Sequence, residues 1–197
     1  MTIQNDKLPT REQYFAAAIP LLQRQVFTPA GLTLPSNVRV GVGTLNSRKA
    51  GARHTLGVCF PVAWSADNTI EITMSPAIAD ACELLSTLCH ELIHAIDGNK
   101  NGHKGPFRRM ALDIGLTGKM TETVAGDELN ATLKTIVKEL GPYPHAKLDT
   151  SVRKKQGTRM MKVQCTSCGW SFRTSQKNIS AMQWHGCLAC DSGQLEY

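Results

Sequence analysis

His90-Glu91-Leu92-Ile93-His94 puts two imidazoles four residues apart, with a carboxylate beside the first. On a helix, positions i and i+4 share one face, so both rings can reach a single ion. Glu91 is next to the first ring and cannot stand beneath the same ion, but it can lean over the site and take a proton from an attacking water. Zinc suits nitrogen ligands and makes water acidic near neutral pH. The opposing reading is a helix that happens to carry two ordinary histidines. Leu84, Leu88, Leu92 and Ile96 weigh against it. They form a stripe at every fourth residue and fill the core face without help from the histidines.

A catalytic zinc needs a third protein ligand and an open position. His103 is the leading candidate. It lies nine residues after His94, across Gly98-Asn99-Lys100-Asn101-Gly102, where two glycines let the chain fold back over the helix. Spacing alone leaves His103 open between a ligand and a solvated loop histidine. Metzincins place their third histidine six residues after the second, and Lys100 occupies that position here. His54, His145 and His185 lie outside any ligand spacing and read as surface residues. Asp97 shares the face of His90 and His94; it reads either as a hydrogen-bond partner of a ligand imidazole or as a plain helix-terminal carboxylate.

A second constellation lies near the C-terminus. Cys165-x-x-Cys168 and Cys187-x-x-Cys190 are separated by 18 residues, a spacing that suits a four-thiolate structural zinc site. Gly169 and Gly186 supply turn freedom beside the pairs. The surrounding segment of about 40 residues cannot bury a sufficient core unaided, so metal would supply its folding energy. Redox chemistry is the alternative, but no thioredoxin-like βαβ pattern surrounds the pairs. Cys59, Cys82 and Cys89 are scattered, and seven cysteines so placed fit a reducing compartment better than a disulfide framework.

Thr10-Arg11-Glu12-Gln13 is a capping box opening a helix, in which Tyr14, Phe15, Ala18, Leu21, Leu22 and Val26 recur at helical spacing and Pro20 introduces a bend. Val38-Arg39-Val40-Gly41-Val42 alternates like a strand. Two further apolar runs, 56–62 and 69–74, are joined by Asp67-Asn68 as a hairpin, so a small, mostly antiparallel sheet is expected. The central helix follows, starting at Pro76 or Asp80 and ending at Asp97, with Gly98 as its left-handed stop. Pro106 opens another helix that turns Phe107, Met110, Ala111 and Ile114 inward and stops at Gly115. A last helix covers 127–140 with Leu129, Leu133, Ile136, Val137 and Leu140, closed by Gly141-Pro142. Residues 142–157 lack periodicity and read as a basic linker between a first domain, 1–141, and a four-cysteine ribbon, 158–197.

The chain is 197 residues, 42% hydrophobic and 19% charged, with a net charge of +6. That balance excludes disorder. No apolar run approaches the ~20 residues of a membrane span, and residues 1–10 lack the apolar segment of a secretory signal. The expectation is a cytoplasmic protein, nucleoid-associated in a bacterium or in the host cytoplasm if encoded by a phage. The charge is uneven. Residues 1–141 carry 14 Lys/Arg against 13 Asp/Glu, whereas residues 142–197 carry 8 against 3. Such asymmetry points to a polyanion, most simply nucleic acid, and DNA is the expected partner. The candidate contacts are Arg153, Lys154, Lys155, Arg159, Lys162, Arg173 and Lys177. Trp170, Phe172 and Trp184 lie among them. They either stack on unpaired bases or form the ribbon's core.

His90-Glu91-Leu92-Ile93-His94-Ala95, followed by Gly102-His103-Lys104-Gly105-Pro106-Phe107, resembles the SprT-like metalloprotease family, which includes Spartan. The resemblance covers residues 10–120 in layout and is specific over residues 88–107. Lys104 is an extra residue between the histidine and Gly-Pro compared with some members. The resemblance implies His90, His94 and His103 as zinc ligands and Glu91 as catalytic base. It implies an α+β fold in which a zincin-like protease domain precedes a small β zinc ribbon, a layout similar to that of bacterial and phage members. Two zinc ions follow, one catalytic and one structural. The implied substrates are proteins on DNA, including proteins crosslinked to it. Arg53 and His54 are candidates for stabilising the oxyanion. Two rivals remain: a DNA- or transcription-associated adaptor that holds metal without cleaving, and a zinc hydrolase acting on something other than peptides. Retention of Glu91 weighs against the adaptor, because a purely structural site does not require that carboxylate.

Overall fold

The computed structural model describes residues 10–43, 55–149, 160–182, 186–190 and 192–197. The chain divides into two compact units, residues 1–150 and 151–197.

The first unit opens with α1 (Arg11–Leu22). Thr10 and Gln13 form the complete reciprocal capping box, each side chain bonded to the other's backbone N–H. The helix passes through Pro20 and gives way at Gln23 to a π turn, Gln23–Phe27. Gln23 then ties down the exit: its amide donates to Leu32 O, and its carbonyl accepts from Leu34 N at 2.7 Å.

The sheet contains β1 (Val38–Val42), β2 (Gly57–Cys59) and β3 (Ile70–Met74) in the order β1-β3-β2. The expected pairing of the second and third runs is present, with Cys59 opposite Ile72 in antiparallel register. The first strand corrects the expectation of a mostly antiparallel sheet, because β1 runs parallel to β3, Val38 opposite Ile70. A parallel neighbour needs a long crossover, and residues 43–69, with β2 among them, provide it. Ile70, Ile72 and Met74 make β3 the buried centre, which leaves β2 at an edge among the described strands. The 56–62 run is a strand only over Gly57–Cys59, and Val62–Trp64 forms a 3-10 turn instead.

Helix α2 (Ala81–Asp97) begins where Asp80 Oδ1 accepts the Glu83 N–H at 2.8 Å and ends at Gly98, φ +63°. Leu84, Leu88 and Leu92 are fully buried, each contributing roughly 1.5–3 kcal/mol. Leu85, Cys89 and Ile93 are equally buried, so α2 is enclosed on more than its expected stripe. It packs against β2, β3, β5, α3 and α4. Helix α3 (Pro106–Asp113) starts on Pro106, as expected. A hairpin that the sequence does not announce follows: β4 (Leu116–Lys119) and β5 (Glu122–Ala125), with Thr123 opposite Gly118. Helix α4 (Asp127–Leu140) buries Leu129, Leu133 and Ile136.

Residues 142–149, expected within the linker, pack onto the first unit. Tyr143 is buried with its ring edge-on to Tyr14, centroids 5.1 Å apart. His145 Nε2 donates to Pro76 O at 2.7 Å, and Leu148 N donates to the same oxygen. His145 is therefore half-buried rather than a surface residue. The aromatic Tyr143 supplies the apolar anchor that a linker would lack.

The second unit is a three-stranded sheet, β7-β6-β8, of β6 (Met161–Cys165), β7 (Ser171–Thr174) and β8 (Leu195–Glu196), with a short helix α5 (Gln176–Ala181). Its core is Val163, Ile179 and Leu195 with Cys165 and Cys187. Trp170 is exposed and lies tilted against Phe172, centroids 5.4 Å apart, so the core does not depend on it. Trp184 lies outside the described residues. Among the described residues, no helix is long and apolar enough to cross a membrane.

Candidate metal centres

Three histidines from two elements converge in the first unit. His90 and His94 project from one face of α2, and His103 arrives on the loop after it. Four residues shape that loop. Gly98, Asn99, Gly102 and Gly105 all adopt positive φ, where glycine and asparagine are favoured. Asp97 fixes the turn: its carboxylate accepts the Asn101 N–H at 2.8 Å and the Asn101 side-chain amide at 2.6 Å. Asp97 thus serves the loop that delivers His103, and neither imidazole of α2 bonds to it.

His103 Nε2 lies 3.1 Å from His90 Nε2 and 3.2 Å from His94 Nε2. Zinc–nitrogen bonds of 2.0–2.1 Å at tetrahedral angles place ligand nitrogens roughly 3.3 Å apart. Both His103 distances fit that spacing, and the three ligand nitrogens all lie within 4.8 Å of one another. Burial, reinforced by the neighbouring imidazoles, pushes His90 down to about 3 and His94 to about 4, and burial lowers His103 as well. All three rings are held in the neutral form that ligates a metal. Phe107 is fully buried beneath them, its ring 4.4 Å from His94 and 5.0 Å from both His90 and His103. The histidines do pack, contrary to the expectation from sequence, but on the aromatic wall of α3 rather than on the leucine face.

Glu91 sits at the same site, only 5% exposed. Burial raises its carboxyl to about 7, opposed by a hydrogen bond from the Cys59 backbone. Cys59 belongs to the edge strand β2, and Phe60 N–H, one residue on, points the other way to Glu71 O. The outward N–H of the edge therefore serves Glu91. The Cys59 thiol accepts from Asn99 Nδ2 at 3.5 Å, and burial raises it to about 11, which keeps it a thiol. A cleft of about 570 Å³ opens over this set. Thr55–Cys59 line one side, Thr121–Val124 line another, and His90, Glu91, His94 and His103 lie within it. Leu56 and Val124 are both exposed there.

Sequence reasoning does not find Gly57, the Cys59 backbone or Thr123. Thr121-Glu122-Thr123-Val124 between Gly118 and Gly126 is the one trace of the hairpin in the sequence. Arg53 and His54, weighed for the oxyanion, lie outside the described residues.

The second unit gathers Cys165, Cys168, Cys187 and Cys190. Cys165 Sγ is 3.7 Å from Cys190 Sγ, and Cys168 Sγ is 3.7 Å from Cys187 Sγ. Tetrahedral zinc with 2.3 Å bonds to sulfur requires about 3.8 Å, whereas a disulfide requires about 2.05 Å. All four are free thiols. The Cys168 and Ser167 N–H groups point at Cys165 Sγ, at 3.4 and 3.3 Å, and hold it below its ordinary range. Ser192 brings Cys190 down to about 6. Both shifts favour the thiolate at those two positions. Cys168 is pushed the other way: against a hydrogen bond from the Trp170 backbone, desolvation and its sulfur neighbours raise it to about 12. A Cβ on Gly193 would overlap Cys165 Sγ, so only glycine closes this cage.

Of the seven basic residues singled out, Lys162, Arg173 and Lys177 are exposed, and Lys162 and Arg173 are cross-strand neighbours on β6 and β7. Arg153, Lys154, Lys155, Arg159 and also His185 lie outside the described residues.

No curated relative and no solved structure matches the chain. The SprT-like family model matches residues 32–134, just over half of the chain, from ahead of β1 into α4. That span holds the three histidines, Glu91 and both walls of the cleft, so the chain belongs to the SprT-like family.

Proposed function

We propose that the first unit is a zinc-dependent endopeptidase and that the ribbon brings it to proteins on DNA, including proteins crosslinked to DNA. One observation carries the reading: three neutral imidazoles converge, with His103 Nε2 at zinc-ligand spacing from both rings of α2, beside a buried carboxylate in an open cleft. His90, His94 and His103 would hold the metal. Zinc there supplies a Lewis acid that polarises a peptide carbonyl and lowers the pKa of water towards neutrality.

The chain's own residues do the rest. Glu91, raised to about 7 by burial, is matched to accept a proton from the attacking water and to return it to the leaving amine nitrogen. The Cys59 N–H holds the carboxylate in place between those transfers. The rim of β2 offers an extended edge beside the site, a shape that suits an unfolded stretch of polypeptide. In the ribbon, Lys162 and Arg173 face solvent together, like charges opposite one another in the ladder. Such a pair is unfavourable alone and relieved by a phosphate.

The test is cleavage of a DNA-binding protein with and without DNA, using the wild-type chain and Glu91→Gln. The reading expects DNA-stimulated cleavage by the wild type and none by the variant, with zinc retained in both. Zinc retention without cleavage by either chain would favour the adaptor.

A further inference from the structure

His90 differs from its neighbour in one respect. Its Nδ1 lies 2.8 Å from Thr123 Oγ1 on β5, while its Nε2 faces the cluster at 3.1 Å from His103. His94 Nδ1, equally buried, has no hydrogen-bond partner among the described residues. Thr123 is half-buried and stands opposite Gly118, whose φ is +87° and which offers no side chain across the ladder. The threonine hydroxyl is thus aimed at the imidazole rather than held by its own hairpin.

A neutral imidazole carries one proton, and the nitrogen that keeps it cannot ligate. A ring with Nε2 towards a metal must hold its proton on Nδ1, and an oxygen acceptor at Nδ1 selects that tautomer. We infer that Thr123 is a positioning residue for the metal centre, accepting the Nδ1–H of His90 so that Nε2 presents its lone pair to the ion. The inference rests on the metal-site reading above and extends it to the β4–β5 hairpin, which becomes the anchor of one ligand. His94 Nδ1 has no such partner among the described residues, and its ring packs on Phe107 instead.

Thr123→Val keeps the branched shape but leaves the His90 Nδ1–H buried without an acceptor. Thr123→Ser keeps the hydroxyl. Zinc affinity is measured on the full chain by competition with a chromophoric chelator, with the thiolate site as internal reference. The expected result is a 10- to 100-fold loss at the histidine site in Thr123→Val, little change in Thr123→Ser, and unchanged thiolate affinity in both. Nitrogen-15 NMR of the zinc-loaded wild type should show the proton of His90 on Nδ1. Wild-type affinity in Thr123→Val, or the proton on Nε2, overturns the role of Thr123 while leaving the metal site standing. A wild-type chain with no zinc at the histidines overturns both.

Discussion

A methyl group on Gly57 would lie 2.7 Å from Oε1 and 2.8 Å from Cγ of Glu91. The edge strand therefore passes the catalytic candidate at a distance only glycine allows. The same strand, two residues on, gives Glu91 its backbone hydrogen bond from Cys59. Gly57 and Glu91 are 34 positions apart in the sequence, and the pairing of β2 with β3 together with the packing of α2 on β2 brings them together.

Gly57→Ala should displace the Glu91 side chain while leaving the imidazoles untouched. Misplacing a catalytic group by an ångström costs on the order of 100-fold in rate. Turnover should fall by about that factor with zinc content unchanged, measured by metal analysis and peptide cleavage on one sample. Full activity in Gly57→Ala would show that the strand yields and that the close approach carries no catalytic weight.

Burial of Glu91 predicts a pH signature in the metal-free protein. Its folded value is about 7 against an ordinary 4.5. Between these values the folded chain binds more protons than the unfolded chain, so the stability that Glu91 contributes falls as pH rises from 4.5 through 7. Glutamine carries no charge to bury. Glu91→Gln should match the wild type near pH 4.5, exceed it increasingly up to pH 7, and hold a lead of up to roughly 3 kcal/mol above that. His90 and His94, held neutral by burial, weaken both chains alike as pH falls below their ordinary 6.5, and so cancel in the difference. Denaturant unfolding in a chelator across this range checks it. A difference that does not vary with pH would mean that Glu91 ionises as an exposed carboxyl does.

How much of the fold and the site is legible in the sequence depends on how local each signal is. The cap at Thr10, the stop at Gly98 and the start at Pro106 lie within a turn of the helices they define, and the structure has each where the sequence puts it. Of the two starts the sequence leaves open for α2, Pro76 and Asp80, the structure uses Asp80. The paired cysteines carry their own spacing. The parallel pairing of β1 with β3 joins segments 32 positions apart and leaves no local mark. The β4–β5 hairpin turns on Met120-Thr121, which lacks the Asn-Gly or Asp-Gly chemistry that announces a two-residue turn. Thr123 is hidden for that reason. The stripe on α2 is narrower than the buried surface of the helix. Strands and helices pack on several sides of α2, so Leu85, Cys89 and Ile93 beside the stripe are buried too, and packing partners distant in sequence decide that.

Gly193→Ala tests the thiolate site. The added Cβ would overlap Cys165 Sγ and press on Ser167 at 3.1 Å. The ribbon's small core cannot absorb that shift. Zinc per chain should drop from two to one, with α2 and its histidines still folded by circular dichroism. The double change Cys165→Ser plus Cys168→Ser should give the same stoichiometry. Two ions retained in the double cysteine variant would show that the four cysteines are not a metal site, whereas two ions retained in Gly193→Ala alone would show that the cage yields to a Cβ.

Nucleic-acid affinity should reside in the second unit. Residues 151–197 carry seven Lys/Arg against two Asp/Glu, so the whole excess charge of the C-terminal part lies beyond Thr150. Residues 142–149 belong with the first unit through Tyr143, His145 and Leu148. A chain cut after Gly141 would lose that packing and expose Tyr14 and Phe15, so the informative cut is after Thr150. A chain of residues 1–150 should retain zinc at the histidines, bind DNA weakly, and lose DNA-stimulated cleavage, because tethering raises the local concentration of substrate. In the full chain, replacing Lys162 and Arg173 together with Ala should weaken DNA binding and make its salt dependence shallower, the slope of log affinity against log salt falling by about one for each phosphate left unneutralised. Replacing Arg153, Lys154 and Lys155 with Ala should act in the same direction. Filter binding or fluorescence anisotropy over a salt series reads both quantities. DNA affinity undiminished in the 1–150 chain would move the nucleic-acid surface to the first unit, with exposed Arg108 and Arg109 on α3 as the place to look.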